Sequence, residues 1–193
     1  MKTHLLVLSI LLNATISFAQ LTSTFTDARD GKVYKTVQIG KQIWMAENLA
    51  YKAGSGCWAY GDNMENVAKY GYLYDFETAK TVCPAGWHLA SDEEWNTLMS
   101  FLGENVAVNK IKSAGGWNEN GNGNNTSGFS AIPGGHLFNS TTFGDLGTNS
   151  YWWTSTELEA TLAWTRSIDY NNNNITRDIS SKTDGLSVRC IKD

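Results

Sequence analysis

The sequence predicts a single α+β domain, and three stretches carry that prediction. A hairpin pattern stands near the start, one amphipathic helix with a capping signature lies mid-chain, and alternating segments fill the last quarter. Of the 193 residues, 12% are aromatic and only 18% are charged, so the chain can bury a sizeable core unaided. About 170 residues remain after a short leader, within the roughly 100–200 of one domain.

The leader MKTHLLVLSILLNATISFA has Lys2, an apolar run from Leu5 to Leu12, and small residues at Ser17 and Ala19. That pattern predicts a cleavable signal over residues 1–19 and hence a secreted protein, in the periplasm, at the cell surface or outside the cell. Residues 20–24 are expected as a short tail and 25–193 as the domain. No later segment is continuously apolar over the ~20 residues a bilayer requires, so no transmembrane segment is expected. No cysteine adjoins the cleavage point to suggest a lipid anchor. A net charge of -4 argues against nucleic acid and anionic membranes, which call for basic patches.

DGKVYKTVQIGKQIWMAENL predicts the hairpin: Val33 to Ile39 and Gln42 to Met45 are β-rich, and Gly40-Lys41 suits a two-residue turn with glycine first. Lys52 to Asn66 is irregular, and YGYLYDFETAK then predicts a short aromatic strand leading into a helix of about two turns.

CPAGWHLASDEEW, residues 83–95, gathers a cysteine, a histidine, three carboxylates and two tryptophans. Ser91 and Glu94 have the spacing of a capping box, and Asp92 and Glu93 suit the positive end of a helix dipole. Trp95, Leu98, Met99 and Leu102 then fall on one buried helical face. This structural role outweighs a catalytic one. A Cys/His pair needs a partly exposed thiolate, and in an exported protein Cys190 is a second candidate partner for Cys83. A zinc site needs further ligands at short spacing, and the chain beyond the leader has only His88 and His136.

From Lys112 to Tyr151, Gly, Asn, Ser and Thr dominate around single aromatics, which predicts long ordered loops. SYWWTSTE, ATLAWTRSIDY, NNITRDISS and GLSVRCIKD are expected as successive strands of a closing antiparallel sheet.

DARDGKVYKTVQIGKQIWMAENL, AKYGYLYDF, CPAGWHLASDEEW, KSAGGW, GFSAIPGG, YWWTSTE and GLSVRCIKD, in this order, resemble the Fibrobacter succinogenes major paralogous domain. That family is similar to C-type lectin-like and formylglycine-generating sulfatase-modifying domains. The resemblance implies a C-type lectin-like fold with a small mixed or antiparallel sheet, two helices and a long loop region. It also implies a disulfide between Cys83 and Cys190, worth ~4–5 kcal/mol in the chain-entropy account. A second family pair would join Cys57 to a position filled here by Val67. Cys57 is therefore expected to be unpaired and largely inert, with a buried thiol, a surface thiol and an intermolecular bridge all open. Ala90 stands where the family usually has proline.

The resemblance carries no activity, so function is weighed on chemistry. The first reading is a non-enzymatic module binding carbohydrate or another extracellular ligand through aromatic faces, amides and carboxylates. Its candidates are Trp117, Asn118, Trp152, Trp153 and Glu157, although tryptophans inside fold-wide motifs more often belong to the core. The second is a structural or adhesive surface component with a protein partner, which would leave a contiguous exposed apolar patch. The third, a formylglycine-generating type oxidase, needs reactive cysteines and has only Cys57 to offer. No cofactor is expected. The paired motifs through which C-type lectins hold calcium, EPN or QPD with WND, do not occur. A structural calcium could still use Asp62, Asp145 or Asp169, although isolated aspartates in turns usually serve as turn formers.

Overall fold

The computed structural model describes residues 21–193, so the expected signal at 1–19 lies outside the described residues. Thr22–Thr26 forms strand β1 where a tail was expected through residue 24. It pairs antiparallel with β2 (Val33–Ile39), Thr22 opposite Val37 and Thr26 opposite Val33. The tail reading fails because Phe25 has somewhere to go: its ring packs on Trp87 with centroids 5.1 Å apart.

β2 and β3 (Gln42–Met45) form the expected hairpin, with Ile39 opposite Gln42. Gly40 turns it at φ 61°, a value that glycine adopts without strain. The chain continues through β4 (Cys57–Trp58), a 3-10 turn at Tyr60–Asp62, α1 (Glu65–Tyr70) and β5 (Leu73–Tyr74). Next come α2 (Phe76–Ala79), β6 (Trp87–Leu89), α3 (Asp92–Leu102) and α4 (Ala107–Ile111). Four α-helices thus stand among the described residues where two were expected. α2 has one turn, not two. Asp75 caps it by accepting the Thr78 N–H at 2.8 Å, and the β-branched Thr81-Val82 and Pro84 that follow do not prolong a helix.

α3 starts on the predicted capping box: the Ser91 hydroxyl accepts the Glu94 N–H at 3.2 Å, and Glu94 Oε2 accepts the Ser91 N–H at 2.7 Å. Trp95, Leu98 and Leu102 are buried and Met99 lies at the edge of that face. Asp92 does more than favour the dipole. Its carboxylate accepts Nη2 of the buried Arg166 and, at 2.7 Å, Nε of Arg177, so it clamps α3 to two distant strands.

Those strands belong to a second sheet built from β7 (Gly134–Phe138), β8 (Thr142–Leu146), β9 (Asn149–Glu157), β10 (Leu162–Asp169) and β11 (Thr176–Ser181). Its order is β11-β10-β9-β7-β8, antiparallel except between β7 and β9. Part of the expected loop region is therefore a β7–β8 hairpin, turned at Asn139 and Ser140 with φ of 46° and 56°. Its Gly, Asn and Thr composition hides a strand pair whose Leu137 is buried.

The last segment departs from the expected closing sheet. β12 (Cys190–Lys192) leaves β11 and inserts into the first sheet, whose order is β1-β2-β3-β12-β6. Ile191 lies opposite Trp44 on one side and His88 on the other. Cys190 is bonded there to Cys83, with Cα atoms 5.9 Å apart and a sequence separation of 107.

Two buried clusters result, and β9 runs between them. Trp152 joins Trp44, Trp95 and Phe129 in one, while its neighbour Trp153 joins Phe76, Tyr74 and Leu186 in the other. Successive strand residues point to opposite faces, so two consecutive tryptophans fill two cores. No helix among the described residues is long and apolar enough to cross a membrane.

Candidate functional site

Trp152 and Trp153 are corrections to the expected ligand set: both are fully buried. The Trp152 indole donates to Asn48 Oδ1 at 3.0 Å and that of Trp153 to the Tyr74 carbonyl at 2.7 Å. Trp117 is 5% exposed, with its indole N–H shared by Ser113 Oγ and the Ala131 carbonyl. None of the three presents a free ring face for stacking. Asn118 is exposed and its N–H donates to the Gly147 carbonyl at 2.8 Å. Glu157 is exposed, and its two oxygens accept Lys80 Nζ at 3.0 Å and Lys182 Nζ at 2.8 Å. Asn118 and Glu157 remain available to solvent.

Lys182 connects Glu157 to a groove of about 490 Å³, whose walls include Trp58, Asp75, Glu77, Ser140 and Ser181. Trp58 lies on the short β4–β5 ribbon opposite Leu73 and is half-buried. Gly185 supports the inner edge of the indole. A Cβ on Gly185 would come within 3.3 Å of the ring and 3.0 Å of Leu137, so a side chain there would push the tryptophan outward. Gly56, at φ 62°, is required on the opposite wall, where a Cβ would overlap the Asp75 and Thr78 side chains.

The groove is tied down from several sides. Ser140 Oγ donates to the Thr183 carbonyl at 2.6 Å, Phe76 N–H to the Lys182 carbonyl at 3.1 Å, and Asp75 N–H to the Gly56 carbonyl at 3.0 Å. An aromatic face, carboxylates, hydroxyls and an ammonium thus converge on one concavity within the size range of small-ligand sites. Sequence reasoning missed Trp58. It lies in an irregular stretch beside the odd cysteine, and the detectable signal was a tryptophan outside the strongly alternating segments.

The histidines are paired with carboxylates. His88 Nδ1 is 2.7 Å from Asp193 Oδ1 and its Nε2 2.8 Å from Glu94 Oε1. Burial works against charge on His88, but the hydrogen bonds to Asp193 and Glu94 outweigh it and the net pKa shift is upward. His136 Nδ1 lies 3.3 Å from Asp145 Oδ2 without a hydrogen bond between them, and that oxygen accepts the Tyr151 hydroxyl at 2.8 Å. Among the described residues no group of three or more His, Cys, Asp or Glu side chains has the arrangement of a metal site. Asp62 and Asp145 take left-handed backbone angles of 54° and 65°, as turn formers do, and Asp169 accepts the Asn171 N–H at 3.0 Å. Cys57 is free and half-buried; burial pushes its thiol pKa up, and its Sγ lies 3.4 Å from the Ala53 carbonyl.

The sequence model of the Fibrobacter succinogenes major domain matches residues 37–192, from within β2 to the end of β12. The chain belongs to this family. In this member of the family the matched span contains the whole second sheet, the first sheet from within β2 onward, the disulfide and the whole Trp58 groove. No curated protein and no solved structure matches the chain significantly.

Proposed function

We propose that this chain is an exported, non-enzymatic binding module of C-type lectin-like fold, and that it takes an extracellular glycan in the Trp58 groove. The observation that carries the reading is the half-buried Trp58 ring at a concavity whose other walls are carboxylates, hydroxyls and Lys182. A sugar presents a C–H face and a rim of hydroxyls, and such a groove meets the first with an aromatic surface and the second with hydrogen-bonding groups. Glu157 contributes by holding Lys182 at the rim. Cys57 speaks for a non-enzymatic role, because burial raises its thiol where a reactive cysteine needs a lowered pKa.

The test is binding of the protein to an array of neutral glycans and insoluble polysaccharides, alone and as Trp58→Ala and Trp58→Phe. Saturable binding lost in Trp58→Ala and partly restored in Trp58→Phe, with melting temperatures unchanged, is the expected result. Trp152→Ala is the wrong probe, since truncating a core tryptophan costs ~3–5 kcal/mol of stability. Absence of saturable binding to any glycan, or binding indifferent to Trp58, overturns the reading.

A further inference from the structure

A second concavity, of about 210 Å³, lies between the β2–β3 region and α1. Lys32, Lys35 and Lys69 stand at its walls, and Glu47 is the carboxylate among its lining residues. Two of the lysines are placed by rings: Lys32 Nζ is 5.4 Å from the Tyr34 centroid and Lys69 Nζ 4.8 Å from that of Tyr70. Glu47 is partly engaged, its Oε2 accepting the Lys35 backbone N–H at 2.7 Å.

A fourth positive charge lies directly behind this surface. Arg189 is 1% exposed, and its guanidinium donates to Asn48 Oδ1 at 2.8 Å, the Met45 carbonyl at 2.9 Å, the Phe129 carbonyl at 2.6 Å and the Ser130 carbonyl at 3.0 Å. Asn48 and Ser130 themselves line the concavity. Every one of these acceptors is a neutral oxygen, and the carboxylate whose charge acts on the guanidinium is Glu47 of the same concavity, so one carboxylate stands against Arg189, Lys32, Lys35 and Lys69 together. A buried charge that is only partly offset contributes its field through the low-dielectric interior to a neighbouring opening. Here the opening is the wall formed by Asn48 and Ser130, with Lys32, Lys35 and Lys69 among the other residues that line it.

We propose that this concavity is an anion-binding site, taking a carboxylate carried on a glycan chain, as in a uronic acid. The chain as a whole is acidic, at -4, so this local positive field is set against the overall charge and acts at short range. The size accommodates one sugar-sized group and not a folded partner. The proposal stands apart from the Trp58 groove, which involves none of these lysines.

The experiment is calorimetric titration of the intact protein with a short oligogalacturonate, its neutral methyl ester and inorganic phosphate, at low and raised salt. Oligogalacturonate is expected to bind, the methyl ester to lose at least about tenfold in affinity, and added salt to weaken what remains. Lys32→Glu with Lys35→Glu and Lys69→Glu should abolish the preference without lowering the melting temperature. Lys41→Glu, at the far end of the hairpin, and Trp58→Ala should leave it intact. Phosphate binding as tightly, and lost in the same triple variant, keeps the anion site and assigns it to a free anion. Equal affinity for acid and ester, or equal loss in Lys41→Glu, overturns the site; neutral-glycan binding through Trp58 can still hold in that case.

Discussion

Arg189 donates its Nε–H to Asn48 Oδ1 at 2.8 Å, and the same oxygen accepts the Trp152 indole at 3.0 Å. Asn48 Nδ2 in turn donates to the Tyr70 carbonyl at 3.0 Å and to Ser187 Oγ at 3.2 Å. One buried amide therefore joins the first hairpin, the end of α1, the central tryptophan strand and the last segment. Burial pulls the Arg189 pKa down to about 9, with the charge of Glu47 opposing it, so the guanidinium depends on these neutral oxygens.

Asn48→Leu is expected to destabilise the fold by about 3 kcal/mol, because it strips acceptors from a buried cation and from the Trp152 indole together. Urea unfolding should show the loss as a lowered midpoint with little change in slope. A midpoint at the parent value would mean that Arg189 finds another acceptor without cost.

The Cys83–Cys190 bond spans 107 residues and fastens β12 beside β6. Replacing both cysteines by alanine should lower the unfolding free energy by ~4–5 kcal/mol. Cys57 should react slowly with a thiol reagent in the native protein and fully in denaturant, since burial raises its pKa. Rapid native-state labelling would contradict its half-buried position.

His88 gives the fold a pH dependence. Its pKa in the folded state is raised above the ordinary 6.5, so its contribution is fully present below 6.5 and is lost as pH rises through the raised value. Glu94 is shifted the other way. Burial raises its pKa, but hydrogen bonds from Ser91 and His88 outweigh this and the net value is lowered, so its contribution is present above 4.5 and lost as pH falls. Melting temperatures of His88→Gln should therefore fall less than those of the parent as pH is raised from 6.5. Parallel curves for the two proteins would remove His88 from the pH response.

Several local features were legible because their causes are local. The Gly40 turn, the capping box of Ser91 and Glu94, and the buried face of Trp95, Leu98 and Leu102 depend on residues within a few positions of each other. Resemblance pointed to the Cys83–Cys190 pair. The β7–β8 hairpin was hidden, because its Gly-, Asn- and Thr-rich segments carry the composition of a loop and are recruited into β structure by pairing with each other and with β9. Trp152 and Trp153 were ambiguous for a related reason. Consecutive aromatics mark a strand covered on both faces, and only the placement of β9 between two clusters shows that both faces are covered.

By itself, then, the sequence determined the strands and turns of the first hairpin, the start and buried face of α3, and through its motifs the family. The tertiary structure alone decided that β12 leaves β11 for the first sheet, that Asp92 and Asn48 anchor buried arginines, and that Trp58 instead of Trp117 or Trp152 borders a groove. The physical reason is range. Turn and capping preferences are set by near neighbours, whereas burial, charge pairing and exposure depend on which distant segments arrive at the same place.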